Sequence, residues 1–206
     1  YSTNDTLEVT TLAVITTPPT AFQVCEDQSI SITGAASNVA SYQWLRNGVA
    51  ISPNGNVQTY TKGGNPATMS DSGMYRLVAL SNPAGATTCK ADTSVAVLGA
   101  VVRKIQITTQ PLANTFVCQN SAFNTSIVAQ NVTGYQWRKG ASNVSTGTGG
   151  TTANYSIAST QPADADVYSV VMTGNTPCPS VTSTNNTLAV TTLAAITTPP
   201  AAFQVC

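Results

Sequence analysis

The segment Thr6 to Cys25, TLEVTTLAVITTPPTAFQVC, returns as Thr187 to Cys206, TLAVTTLAAITTPPAAFQVC, 181 residues later. The copies agree at 17 of 20 positions and differ at Glu8/Ala189, Val14/Ala195 and Thr20/Ala201. Return at a fixed period marks an array of units that bury surface against their neighbours. The chain therefore reads as a window on such an array, with both ends inside a repeat.

A second, weaker repeat lies inside the first. Cys25, Tyr42-Gln43-Trp44, Asp71 and Tyr75 recur as Cys118, Tyr135-Gln136-Trp137, Asp164 and Tyr168 at an offset of 93, and Cys89 recurs as Cys178 at an offset of 89. Each period then holds two unlike modules of about 90 residues, a size that supports one core apiece. The expected division is 1–13, last strand of a preceding module; 14–100, module A; 101–194, module B; and 195–206, first strand of the next module.

Charge excludes several functions. Only 8% of residues are charged, eight Lys plus Arg against eight Asp plus Glu, while 33 are Thr. Nucleic-acid binding needs clustered cations, and here only Arg103-Lys104 and Arg138-Lys139 adjoin. No run of 18 apolar residues offers a membrane span. Without histidine there is no Ser-His-Asp or Cys-His unit and no imidazole ligand. Asp164 and Asp166 pair closely, but calcium sites draw on more oxygens, and the Gly147-Thr148-Gly149-Gly150 stretch lacks the following helix of a phosphate loop. The expectation is no enzyme activity, no cofactor and no metal.

Five cysteines with no CxxC and no histidine fit disulfides better than zinc. One bridge per module gives Cys25 to Cys89 and Cys118 to Cys178, with Cys206, the counterpart of Cys25, pairing beyond the window. Oxidised pairs imply export; buried free thiols in a cytosolic protein are the other reading.

The periodicity is that of strands. Ser29 to Thr33 alternates, Ser41 to Arg46 carries large aromatics, Asn47-Gly48 is a tight-turn dipeptide that should fold Val49 to Ile51 back, and Arg76 to Leu80 is apolar on both faces. No helix of two turns is visible. Some seven short strands per module describe an antiparallel sandwich. A strand with Trp44, then Asp71-x-Gly73-x-Tyr75 some thirty residues on, resembles the immunoglobulin fold, with its buried tryptophan and tyrosine corner. Trp137 and Asp164-x-Asp166-x-Tyr168 match it in module B, where Asp166 in place of glycine should weaken the corner. The resemblance implies that Trp44, Trp137, Tyr75 and Tyr168 are core residues.

The cysteine placement, the YQW strands and the Thr-rich, low-charge composition resemble the Ig-like repeats of very large surface adhesins of Bacteroidota, of the SprB-like gliding kind exported by the type IX system. The resemblance implies an extracellular, cell-surface filament segment serving attachment and gliding, with neighbouring repeats as partners and surface polysaccharide or substratum as a further one. It also makes Asp5-Thr6-Leu7 a candidate O-glycosylation site at Thr6; the sequons at Asn4, Asn124, Asn131, Asn143 and Asn185 fit the other glycosylation pattern. The alternative is a spacer or carbohydrate-binding module of an exported enzyme, with Tyr60 and Tyr155 as the aromatics for a sugar. A eukaryotic Ig receptor fits the fold but not the near-identical repeat. Within the pair, Gly99 to Val102 is expected to form the more flexible joint, with Val101 and Val102 covered by both modules.

Overall fold

The computed structural model describes residues 11–62, 66–81, 91–192, 194–195 and 197–198. It divides the chain into two compact units, 1–104 with 175–179, and 105–174 with 180–206. In the first unit the strands are β1 (Val14–Thr17), β2 (Phe22–Cys25), β3 (Ser31–Thr33), β4 (Ala35–Ser37), β5 (Ser41–Arg46), β6 (Val49–Ala50), β7 (Thr59–Thr61), β8 (Gly73–Leu80), β9 (Asp92–Thr93) and β10 (Val97–Val102). One face of the sandwich is a sheet ordered β2-β10-β8-β5-β6, with β9 also on β8; the other is built from the pairs β1-β4 and β3-β7.

Local chemistry explains these elements. Asn47 and Gly48 both take the left-handed backbone, at φ 52° and 83°, which lets β6 fold back on β5 through a two-residue turn. Ile30, Ile32, Trp44, Tyr60, Tyr75, Leu77 and Val101 meet as the core. β8 is central, held between β5 and β10, yet it buries only Tyr75, Leu77 and Ala79; Arg76 and Leu80 are exposed. The expected two-sided burial fails because, among the described residues, no layer covers the second face of this sheet.

The second unit repeats the plan with β11 (Gln106–Thr109), β12 (Asn114–Cys118), β13 (Phe123–Ser126), β14 (Val128–Gln130), β15 (Val132–Lys139), β16 (Ser142–Asn143), β17 (Asn154–Ile157), β18 (Asp166–Gly174), β19 (Val181–Thr182) and β20 (Asn186–Thr191). Its main sheet runs β12-β20-β18-β15-β16, with β19 on β18, facing the pairs β11-β14 and β13-β17. Phe123, Trp137, Tyr155, Tyr168, Val170, Met172 and Leu188 fill its core. Helix among the described residues amounts to two single 3-10 turns, Met69–Asp71 and Pro162–Asp164.

Two expectations are corrected here. The sandwich is not antiparallel throughout, because β2 runs parallel to β10 and β12 parallel to β20. Nor is Gly99 a joint. It lies within β10, which continues through the expected boundary at residue 100, and Val101 is buried in the first unit's own core. A Cβ at Gly99 would stand 2.4 Å from the Phe22 ring and 2.7 Å from that of Tyr75. The glycine therefore admits two aromatic rings.

Candidate functional site

Trp44 and Trp137 are fully buried at matching positions of β5 and β15, opposite Leu77 and Val170. Each indole N–H donates to a backbone carbonyl, Val57 O and Thr152 O, at 2.9 Å. A buried tryptophan whose one polar atom is satisfied offers nothing to a ligand. The tyrosine corners match as closely. Tyr75 OH donates to Asp71 O at 2.7 Å, and Tyr168 OH to Asp164 O at 2.8 Å.

With Asp166 in place of glycine, the second corner keeps its hydrogen bond. In the first unit Asn47 sits opposite Gly73, whose Cβ would lie 2.7 Å from Asn47 Oδ1. The second unit exchanges the two: Gly140, at φ 56°, stands where Asn47 was, and Asp166 replaces Gly73. The backbone bond across the pair is the same, Asn47 N–H to Met74 O and Gly140 N–H to Val167 O, each 2.8 Å. One side chain fits between these backbones, and either position can supply it.

Around Asp71 the units diverge. Asp71 is buried and forms ion pairs with Arg46, at 2.7 Å, and with Lys62, and it accepts the backbone N–H and hydroxyl of Thr68, each at 2.8 Å. Burial pushes its carboxyl up, but the bonds from Lys62, Thr68 and Arg46 outweigh burial and bring it down to about 2. In the second unit Asp164 accepts the Gln161 N–H at 2.8 Å. There the buried Ile157, paired with Phe123, holds the place of Lys62, whose N–H donates to Ile30 O. The charged cluster braces a corner. Its groups are consumed by one another, and no pair of acid and base is left for chemistry.

The cysteines overturn the expected pairing. Cys25 is bonded to Cys178, with Cα atoms 4.8 Å apart. Each within-module bridge needs one of these two sulfurs, so neither Cys25 to Cys89 nor Cys118 to Cys178 can form. The reason lies in the five residues 175–179 between β18 and β19, which belong to the first unit. Pro177 and Pro179 flank Cys25 there, and Cys178 Sγ lies 3.5 Å from the Val102 and Arg103 carbonyl oxygens. Cys118, the counterpart of Cys25, is free and exposed. Cys89, Cys206 and Thr6 lie outside the described residues.

Tyr60 and Tyr155 do not offer ring faces to a sugar. They are 7% and 1% exposed, and the Tyr155 hydroxyl donates to Thr146 O at 2.8 Å. An open groove beside Tyr155 is lined by hydroxyl and amide groups of Asn124, Ser126, Thr148, Thr152 and Asn154. No group of three or more His, Cys, Asp or Glu that could hold a metal occurs among the described residues. No helix among them is long and apolar enough to cross a membrane.

No family model and no curated protein matches this sequence. Solved structures do match, and they are Ig tandems. The chain is similar to extracellular domains 3–5 of Drosophila OTK at TM-score 0.62 and 17% identity, over 89% of this chain and 63% of that one. It is similar to the I67–I69 fragment of the titin I-band at TM-score 0.56 and 16% identity, over 89% and 67%. It is similar to the insect immune protein hemolin at TM-score 0.59 and 14% identity, over 91% and 49%. The chain spans between about half and two thirds of the length of these structures. Likeness at this identity shows the fold, which is all-β, with two immunoglobulin-like sandwiches in tandem along the chain.

Proposed function

We propose that the chain is a non-catalytic segment of a long, repetitive filament exported to the cell surface, where it serves attachment, in the manner of the gliding adhesins of Bacteroidota. The observation that carries this reading is the 181-residue return of TTPPxAFQVC across two Ig-like units. A boundary segment that returns with so little change after two sandwiches marks an array, which uses its units for length and for a surface presented many times. The disulfide supports an oxidising, extracellular setting. Titin and OTK supply precedents for Ig units strung in series, and hemolin has a domain arrangement with implications for homophilic adhesion.

The rival reading is a spacer or sugar-binding module of an exported enzyme, and the burial of Tyr60 and Tyr155 removes the two rings expected to hold a sugar. Antibodies raised against this chain test the proposal on intact cells of its source. Surface filaments decorated along their length, and attachment reduced by the antibody fragments, are expected. Label confined to the cell interior, or to a secreted enzyme carrying one or two such units, overturns it.

A further inference from the structure

Cys25 and Cys118 sit in the same backbone hydrogen-bond pattern. Cys25 ends β2 in parallel register with Val102, and Cys118 ends β12 in parallel register with Thr191. The next residue's N–H donates across that register at 2.8 Å in both, Glu26 to Val102 O and Gln119 to Thr191 O. Three residues on, Gln28 and Ser121 donate back to Cys25 O and Cys118 O at 3.0 Å, and the turn residues between, Asp27 and Asn120, share φ 69°. What differs is the cover. Cys25 is 3% exposed beneath the 175–179 segment. On β12 the same outward face shows Cys118 as a free, exposed thiol and, two residues earlier, Phe116 at 79% exposure.

The repeat identifies what would cover it. Cys178 follows Cys25 by 153 residues. Cys89, carried forward by one 181-residue period, follows Cys118 by 152. We infer that Cys118 forms a disulfide with the counterpart of Cys89 in the following repeat, so that the cysteine ending β2 or β12 in each module of the array bonds the counterpart of Cys178 or Cys89 in the module after its own. By the same rule Cys89 bonds the counterpart of Cys118 in the preceding repeat, and Cys206 a cysteine 153 residues beyond it. Two thiols lose two protons and two electrons in forming each bond, and a disulfide donor such as oxidised glutathione accepts them and leaves as two thiols. The inference rests on the array reading, since the chain must continue.

The test extends the chain with its own sequence. Residues 26–104 appended after Cys206 supply a copy of Cys89 152 residues after Cys118, and Cys89→Ser at the original position removes a thiol whose partner lies upstream. After oxidation in a glutathione buffer, free thiols are blocked with a maleimide and the peptides mapped without reduction. The expected result is Cys118 joined to the copied Cys89 beside Cys25 joined to Cys178, and loss of the maleimide label that Cys118 takes in the 206-residue chain. A bond from the copied Cys89 to Cys206, or a labelled Cys118 in a chain whose added module resists protease, overturns the inference and leaves the filament reading standing. Placing residues 105–186 ahead of Thr6 tests the link from the other side. There a copied Cys118 should bond Cys89, and labelling of both thiols overturns the inference should the first extension fail to fold. Failure of the array reading shows separately, as a parent protein without further repeats.

Discussion

At the scale of single residues, Asp71 is a buried carboxylate held by two cations. Its folded carboxyl titrates at about 2, against an ordinary 3.8. The sign follows from linkage. Above pH 4 both folded and unfolded chains carry the anion and the full contribution is present; as pH falls from about 4 to about 2 the unfolded chain takes up the proton first, and stability is lost, by about 2 kcal/mol in all. Thermal unfolding of the chain at pH 5 and pH 2, beside Asp71→Asn, measures it. The substituted chain should be less stable at pH 5 and should lose less on acidification, and an unchanged acid loss would show that Asp71 is not its source. The tryptophans make a second prediction. Trp137→Ala should cost the second unit about 3 to 5 kcal/mol, the usual range for a large aromatic in a packed core, while the first unit, whose core holds Trp44 and none of the same residues, keeps its own transition. A joint loss of both transitions in calorimetry would contradict the separate cores.

At the scale of strands and turns, β10 shows where a sequence can be read and where it cannot. The aromatic strand at Ser41 to Arg46 and the Asn47-Gly48 turn were legible because the signals are local: alternation, bulky side chains and a dipeptide suited to positive φ. The buried positions of Trp44 and Tyr75 were legible through the resemblance to the immunoglobulin fold, and both are buried. Gly99 was misread because glycine serves bends and close approaches alike, and the ring it accommodates arrives on β2, a distant strand that pairs in parallel. The disulfide was misread for the same reason. Spacing alone does not say which cysteines meet, and only the placement of residues 175–179 against Cys25 brings Cys178 to it. The reciprocal Asn47/Gly73 and Gly140/Asp166 positions could have been found by comparing the modules at the 93-residue offset two positions at a time. For β10 the prediction is direct. Gly99→Val would drive methyl groups into the Phe22 and Tyr75 rings, which already meet edge to face at 5.2 Å, and should cost about 1 to 3 kcal/mol, as overpacking does. Stability equal to the parent in urea unfolding would restore Gly99 as a residue of no packing consequence.

At the scale of the whole chain, if the segment serves in a filament as proposed, the bond from Cys25 to Cys178 decides how it carries load. A filament segment pulled from its ends transmits force along its shortest covalent path, and here that path leaves the backbone at Cys25 and rejoins it at Cys178, 153 residues later. The residues between include the first unit's strands from β3 to β10 and the second unit's from β11 to β18. They can unfold under tension without lengthening the chain, so most of the length that two sandwiches could release is withheld. At about 3.4 Å per extended residue the bond hides roughly 500 Å of contour. Single-molecule extension of the oxidised chain between its termini should therefore show little release beyond the residues outside the loop. After reduction, or in Cys178→Ser, unfolding steps should appear that sum to roughly those 500 Å once the folded dimensions are subtracted. If the oxidised chain instead yields the same unfolding steps as the reduced one, the bond does not lie in the path of force, and its role is confined to holding residues 175–179 against the first unit.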